Sequence, residues 1–256
     1  MNQERIDALR KEWEEEEKIA HIHGWDFSHI NDRYNEEEDL PWDYQTVIEE
    51  YLKDDMKILD YDTGGGEFLL SLHHPYRNTA ATEGYPPNVE LCKEVLLPLG
   101  IDFRQCHDAS DIPFEDASFD MMINRHGDFD PKECYRLLKP EGLFITQQVG
   151  SENDRDLVEM VLPDQPKPFP DLNLKIQRKK FEDAGFEILR AQEVFRPICF
   201  YDIGAFVWFA HIIEWEFPGF LVERCFDRLL KMQEELDRNG KIAGTIHRYL
   251  IAVRKH

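Results

Sequence analysis

The stretch Ile58-Leu59-Asp60-Tyr61-Asp62-Thr63-Gly64-Gly65-Gly66-Glu67-Phe68 decides the fold of this 256-residue chain. Its apolar start predicts a buried strand, its three consecutive glycines predict a tight turn, and the residues after them predict a helix. Glycines at such a turn let the backbone approach a ligand closely, with the helix N-terminus behind it. The stretch therefore predicts a strand, turn and helix that together hold a ligand.

The same alternation of short apolar runs and amphipathic stretches continues from Met56 towards the C-terminus, which is typical of βα units and a largely parallel sheet. The predicted strands are residues 57–61, 79–82, 101–105, 119–124, 143–148, 186–194 and 244–253. The predicted helices between and after them are residues 66–72, 87–97, 131–138, 172–184 and 220–237. The pattern predicts an α/β fold with a seven-stranded sheet and helices on both of its faces.

Two further segments accompany the sheet. Residues 1–55 predict an N-terminal helical cover, with helices over 3–20 and 44–52 and an aromatic stretch between them that includes Trp25 and Trp42. Residues 195–240 predict an aromatic insertion, because nine Phe, Tyr or Trp residues fall between 195 and 220. Residues 56–256 form the domain that carries the sheet, and we expect the whole chain to be one compact unit.

The composition narrows the function classes. The net charge of -22 repels phosphate backbones and anionic lipid surfaces, so nucleic acid is a disfavoured partner. No apolar run is long enough for a membrane span, and the five cysteines are scattered singly, which predicts reduced thiols and a cytoplasmic protein. The pair His73-His74 lacks a third ligand at a suitable spacing, so we expect no metal.

Glu83 lies at the end of the second predicted strand, where a carboxylate can accept both hydroxyl groups of a ribose. An acid about twenty residues after the glycines is also part of the dinucleotide-binding fingerprint. The third glycine of that fingerprint is absent, however, because Leu69 occupies its place. The spacing therefore disfavours a nicotinamide cofactor.

Between Met56 and Gly150 the chain resembles the class I S-adenosylmethionine-dependent methyltransferases, which have a Rossmann-like sheet. The resemblance rests on the glycine-rich turn, on Glu83, on the segment His107-Asp108-Ala109-Ser110-Asp111-Ile112-Pro113-Phe114, and on Arg136-Leu137-Leu138-Lys139-Pro140-Glu141-Gly142 before the fifth strand. It implies S-adenosylmethionine as cofactor, with Asp108 and Ala109 at the adenine. The cofactor-binding residues that it implies are Asp60, Asp62, Thr63, Gly64, Gly66, Glu83, Gly84, Asp108, Ala109 and Asn124.

Two more strings, Asn124-Arg125-His126 and Thr146-Gln147-Gln148-Val149-Gly150, resemble a bacterial subgroup of uncharacterised methyltransferases. They indicate relatives without naming a substrate. A small-molecule acceptor suits the acidic surface, although a basic polypeptide remains an alternative. We expect a monomer or a homodimer.

The family's pattern is broken at Asp62, which stands where the first glycine of the turn is usual. This carboxylate could repel the cofactor's carboxylate, or it could pair with the cofactor's ammonium or sulfonium group. The alternative function is therefore a non-catalytic protein of the same fold, with a degenerate cofactor site and a binding or regulatory role.

Methyl transfer needs alignment of the acceptor above all, and a general base when the acceptor carries a proton. His126, just after the fourth strand, is the candidate base, and a structural role at the strand end is the alternative. Further candidates for contact with the acceptor are Arg125, Gln147, Gln148, Tyr201, Asp202 and Trp208. For the last three, packing in a helical core is the competing interpretation.

Overall fold

The computed structural model describes residues 1–21, 26–36 and 39–256. Trp25, which we expected in the N-terminal cover, lies outside these ranges. The chain forms two compact units: the first comprises Met1–Asp39, Gly150–Pro170 and Phe195–His247, and the second comprises Leu40–Val149, Asp171–Val194 and Arg248–His256. The predicted boundary at residue 55 falls within the second unit.

The described residues form helices and strands that are numbered in chain order. The helices are α1 (Gln3–Ile19), α2 (Tyr44–Glu49), α3 (Glu67–Ser71), α4 (Pro86–Val95), α5 (Pro131–Leu137), α6 (Arg155–Val161), α7 (Leu174–Asp183), α8 (Ile203–Ile212) and α9 (Val222–Asn239). The strands are β1 (Tyr34–Glu36), β2 (Ile58–Asp60), β3 (Thr79–Glu83), β4 (Asp102–Gln105), β5 (Phe119–Arg125), β6 (Leu138–Val149), β7 (Phe186–Phe200) and β8 (Ile242–Lys255).

The predicted α/β class is confirmed, and the sheet has eight strands in the order β1-β7-β8-β6-β5-β2-β3-β4. Strands β4, β3, β2, β5 and β6 are parallel, and β8 is antiparallel to β6. The predicted number of seven was one too low. The additional strand, β1, falls in the aromatic stretch between the two predicted N-terminal helices, and it pairs antiparallel with an extension of β7, from Tyr34↔Phe200 to Glu36↔Ile198. Its three residues carry no pattern of their own, so pairing with β7 specifies it.

In the second unit both faces of the sheet are buried. Ile58, Met121 and Ile145 pack into one apolar cluster, whereas their neighbours Leu59 and Met122 pack into the other. Successive side chains of a strand point to opposite faces, so strands covered on both sides read as continuous apolar runs. This explains why these strands could be found from the sequence.

Local signals also place the helices of the second unit. Asp43 and Asp130 accept hydrogen bonds from the first turns of α2 and α5, and Pro131 occupies the first position of α5, where its missing N–H costs nothing. Gly100 adopts a left-handed conformation after the single 3-10 turn that follows α4. These caps set the direction in which the chain enters and leaves the sheet.

The first unit is a helical core in which α1 packs against α8 and α9. Helix α8 is apolar on all sides and has eight buried residues, as expected of an interior helix. Trp13 of α1 lies with its ring centroid 5.7 Å from that of Phe226 in α9. Much of the predicted aromatic insertion is therefore core.

Two further observations bear on the expectations from composition. Within the described ranges, none of the helices is long and apolar enough to cross a membrane. All five cysteines lie in described parts of the chain and are free thiols.

Tyr44 anchors α2 to the sheet of the second unit. Its hydroxyl lies 2.9 Å from the carbonyl oxygen of Asn124 and 3.0 Å from that of Ile145, and it accepts the amide N–H of Asn124 at 3.2 Å. Tyr44 is 5% exposed, so water cannot easily replace its hydroxyl as the partner of these backbone groups. One hydroxyl thus joins α2 to β5 and β6.

We expect Tyr44→Phe to lower the free energy of unfolding by about 1–3 kcal/mol, because it leaves buried backbone groups without a partner. Urea unfolding followed by circular dichroism measures this loss. Tyr51→Phe, in the turn after α2, is the matched control and should have little effect. Equal effects of the two substitutions would contradict the anchoring role.

Candidate functional site

A cleft of about 310 Å³ opens where β2, β3, β4 and β5 end, within the second unit. In an open parallel sheet, the carboxyl ends of the strands form the usual edge for ligand binding. The cleft is lined by residues that follow these strands: Tyr61, Asp62, Gly84, Tyr85, Pro86, Cys106, His107, Ala109 and Asp128. Its volume lies within the range of small-molecule pockets.

The glycine-rich turn lies beside this cleft. Gly64 has a φ of 66°, a conformation that favours glycine, and a Cβ atom placed on it would meet nothing within 4 Å. Gly66 is the residue before α3, and Thr63 donates its hydroxyl to Asp60 at 2.6 Å. The predicted turn is therefore in place, with open space next to its backbone.

Glu83 binds the protein's own backbone. Its two carboxylate oxygens accept the amide N–H groups of Gly64 at 2.7 Å and of Gly84 and Tyr85 at 2.8 Å each. The residue is 3% exposed and does not line the cleft. Glu83 thus fastens the glycine turn to the loop after β3.

Asp62 is the acid that faces the cleft from this side. Its φ is 60°, which is uncommon for a residue other than glycine, and its side chain lies over Gly127, where a Cβ atom would come within 2.3 Å of the Asp62 Oδ2. Gly127 must therefore be glycine because of the position of Asp62. The prediction that Asp62 occupies the place of a glycine in the turn agrees with this left-handed backbone.

Burial and the neighbouring charges of Glu83 and Asp128 together raise the pKa of Asp62 to about 6. Burial likewise raises the pKa of Asp60 to about 7, against the lowering effects of the Thr63 hydroxyl and of Arg125. The end of β2 therefore carries crowded carboxyl groups that favour either a proton or a cation.

The predicted adenine segment follows β4. Ala109 lines the cleft, as does Gly84 after β3. Asp108 is exposed and accepts the amide and hydroxyl of Ser110 at 2.8 Å and 2.7 Å, and these bonds lower the pKa of its carboxyl. Asp108 itself does not line the cleft.

Asn124 and Gln148 belong to a buried polar network. Asn124 donates to the carbonyl of Tyr61 at 2.8 Å and accepts from Thr146 and Gln148 at 3.2 Å and 2.5 Å. Gln148 also donates to the carbonyl of Gly127 at 3.0 Å. This network fixes the ends of β5 and β6 relative to the turn that contains Asp62.

His126 follows β5 and, like Asp62, has a left-handed backbone, with φ of 63°. Its amide donates to the carbonyl of Gln147, and its Nε2 lies 3.4 Å from the Gln147 amide nitrogen. The indole of Trp42 donates to the Gln147 Oε1 at 2.8 Å. Because an indole N–H can only donate, the amide nitrogen of Gln147 must face His126, whose Nε2 then accepts and whose proton lies on Nδ1.

Dense packing of protein atoms lowers the pKa of His126, and the positive charges of Arg248 and Arg125 lower it further. His126 is nevertheless exposed to solvent, so water screens part of this lowering of its pKa. The neutral imidazole is favoured. Arg125 is exposed as well, with its guanidinium carbon 4.9 Å from the ring centroid of Phe68.

The remaining predicted substrate residues lie in the first unit. Trp208 is 2% exposed, with its ring centroid 5.7 Å from that of Phe27. Asp202 accepts the amide of Ala205 at the start of α8 and forms an ion pair with Arg33 at 2.7 Å. Tyr201 is 49% exposed. Packing and capping account for the first two side chains.

Sequence reasoning missed several residues that line the cleft: Tyr61, Tyr85, Pro86, Cys106, His107 and Asp128. Each lies one to three residues beyond the end of a strand, and this position was the available signal. Within the described ranges, no group of three or more His, Cys, Asp or Glu side chains is arranged to hold a metal ion.

Residues 59–146 match the family model described as a methyltransferase domain. They span β2 to β6 and contain every residue that lines the cleft. The resemblance seen in the sequence is confirmed over these residues, which match a methyltransferase domain.

Solved structures share the fold. A proposed methyltransferase of Bacillus halodurans C-125 is 17% identical, with 82% of this chain and 98% of that chain covered and a TM-score of 0.57. A functionally unknown protein of Deinococcus radiodurans R1 is 14% identical, with 99% and 100% covered and a TM-score of 0.56. The [4+2]-cyclase SpnF is 15% identical, with 98% and 94% covered and a TM-score of 0.50. No curated protein sequence gives a significant match.

The raised pKa of Asp62 has a consequence for stability. Because the folded protein binds this proton more tightly than the unfolded chain, whose carboxyl has its ordinary value of 3.8, the stability that the proton supplies is present at low pH and is lost as pH rises through about 6. We expect Asp62→Asn to raise the free energy of unfolding by about 1–3 kcal/mol at pH 8, and by about half as much at pH 5, which lies between the ordinary pKa and the raised one.

Thermal unfolding at both pH values measures this difference. Asp62→Gly is the companion variant, since it removes the left-handed strain as well as the charge. A gain from Asp62→Asn that is the same at pH 5 and pH 8 would contradict the role of charge crowding.

Proposed function

We propose that this chain is an S-adenosylmethionine-dependent methyltransferase that acts on a small molecule. The observation that carries the proposal is the cleft at the strand ends of the methyltransferase domain, with open space beside Gly64. The fold alone would not carry it, because one fold hosts many functions, and SpnF, a [4+2]-cyclase, has the same fold.

The residues present fit the cofactor. The loop after β3, with Gly84 and Tyr85, and the loop after β4, with Ala109, offer a slot in which a planar base and its ribose can lie. Asp62 and Asp128 offer negative charge to a ligand that carries a sulfonium and an ammonium group. The aromatic ring of Tyr85 is 63% exposed and so is available for stacking.

When bound, the cofactor supplies a methyl group on a leaving group that is already activated. The contribution of the protein is then alignment of the acceptor and exclusion of water. The buried network of Asn124, Thr146 and Gln148 holds the ends of β5 and β6 rigid. We assign to His126 the removal of a proton from an acceptor hydroxyl or ammonium group through Nε2, which must then give up its 3.4 Å contact with the Gln147 amide nitrogen.

The acceptor class follows from charge. With a net charge of -22, the chain repels nucleic acid at long range, so we propose a small-molecule acceptor. Arg125 and Gln147 at the ends of β5 and β6 are the groups that we assign to its orientation. As part of the same proposal, we place the protein in the cytoplasm, where its free thiols stay reduced.

Asp62 favours a second candidate, a non-catalytic protein of this fold. Asp62 lines the cleft that the cofactor would enter, and the charge of Glu83, the acid expected at the ribose, acts on its carboxyl. In that case the cleft binds cofactor weakly and serves a regulatory role. Calorimetric titration with S-adenosylmethionine and S-adenosylhomocysteine separates the two candidates.

We expect micromolar binding of S-adenosylmethionine, weakened about tenfold in Tyr85→Ala because the variant removes a stacking surface. Isothermal titration calorimetry gives both dissociation constants. Tyr76→Ala is the matched control, since Tyr76 is 41% exposed but does not line the cleft, and it should bind like the natural protein. Absence of binding by both the natural protein and Asp62→Gly would overturn the proposal.

For the proton-transfer role, we expect His126→Ala to lower turnover by about 100-fold while the dissociation constant of the cofactor stays unchanged. Formation of S-adenosylhomocysteine in a screen of hydroxyl and amine acceptors measures turnover. His126→Gln tests whether a hydrogen-bonding side chain alone suffices. Unchanged turnover in His126→Ala would assign the residue to the structure of the strand end.

A further inference from the structure

Asp62 differs from every other acid near the cleft in its combination of strain and position. It holds a left-handed backbone, with φ of 60°, at a place where the chain could use glycine without strain. Asp62 lines the cleft, whereas Glu83 does not and its side chain is turned to the backbone amides. The carboxylate presented to a ligand at the end of β2 is thus that of Asp62.

The groups around Asp62 are of like charge on each neighbouring element. The charge of Glu83 at the end of β3 and that of Asp128 in the loop after β5 both raise the pKa of Asp62. Asp60 on its own strand adds a further acid, and Tyr61 and Cys106 are close enough for the charge of Asp62 to raise the pKa of each.

The other lining residues do not balance this charge. The nine residues that line the cleft include two acids, Asp62 and Asp128, but no lysine or arginine, and His107 is the one group among them that can become a cation. Arg125, which acts on Asp60, is not among the lining residues. A ligand with positive charge would relieve the repulsion between the carboxylates, whereas a neutral ligand would leave it in place.

We propose that Asp62 makes the cleft selective for charge, so that it holds the sulfonium form of the cofactor more tightly than the neutral thioether product. This inference rests on the proposed function and deepens it. S-adenosylmethionine carries one more positive charge than S-adenosylhomocysteine, and the two share the adenosine and the amino acid groups. Their difference in affinity therefore measures what the carboxylate contributes, and loss of the charge on methyl transfer favours release of the product.

The test is isothermal titration calorimetry with S-adenosylmethionine, S-adenosylhomocysteine and adenosine at pH 8. We expect the natural protein to bind S-adenosylmethionine at least tenfold more tightly than S-adenosylhomocysteine, and the ratio to fall to about one to two in Asp62→Asn. The affinity for adenosine should change less than twofold, which shows that the variant keeps the cleft. Raising NaCl from about 50 to 500 mM should narrow the ratio, because salt screens charge.

Glu94→Gln is the matched control, because it removes one exposed negative charge from α4 without touching the cleft, and its ratio should equal that of the natural protein. A natural protein that prefers S-adenosylhomocysteine, or a ratio that Asp62→Asn leaves unchanged, overturns the charge selection. Binding that appears only in Asp62→Asn and Asp62→Gly also overturns it, because Asp62 would then block the cleft. Lack of binding by all variants overturns the proposed function itself.

Discussion

The cleft depends on the carboxylate of Glu83. A single buried side chain accepts three backbone N–H groups, one from the glycine turn after β2 and two from the loop after β3. Without it these three amides would lose their partner within the protein, and the two loops would lose the group that joins them. The backbone of the two loops stays in register through the bonds of Thr63 N–H to Thr82 and Cys106 N–H to Glu83. The walls of the cleft are thereby set by main-chain geometry.

This use of Glu83 leaves Asp62 as the acid after β2 that lines the cleft, with Asp128 after β5. Because both acids and Asp128 lie close together, the folded state bears a repulsion that a proton or a bound cation relieves. A proton and a positively charged ligand therefore compete for the carboxylate of Asp62. An acid at this position makes the cleft sensitive to the charge of its occupant, which a glycine could not do.

The sequence predicted the sheet well where strands are buried on both faces, since continuous apolar runs such as Met121–Ile123 leave little ambiguity. It could not predict β1, because three residues with no pattern of their own become a strand only by pairing with β7, as Tyr34 does with Phe200. It identified Gly64 and Ala109 beside the cleft and placed Asp62 in the turn. It could not show that Glu83 would bind backbone amides, because the direction of a side chain depends on loops distant in sequence.

Two strained residues mark the edge of the sheet. Strands β2 and β5 are neighbours, with Asp60 opposite Ile123, so the segments that follow them, which contain Asp62 and His126, leave the sheet side by side. Both residues have left-handed backbones that glycine would adopt without strain, at 60° and 63°. Such strain persists only where surrounding contacts fix it. Here the contacts are the fit of Asp62 over Gly127 and the bond from His126 to Gln147, and each orients a charged or titratable side chain at the strand ends. The strain at these two positions thus holds the polar groups of the site in fixed directions before any ligand arrives.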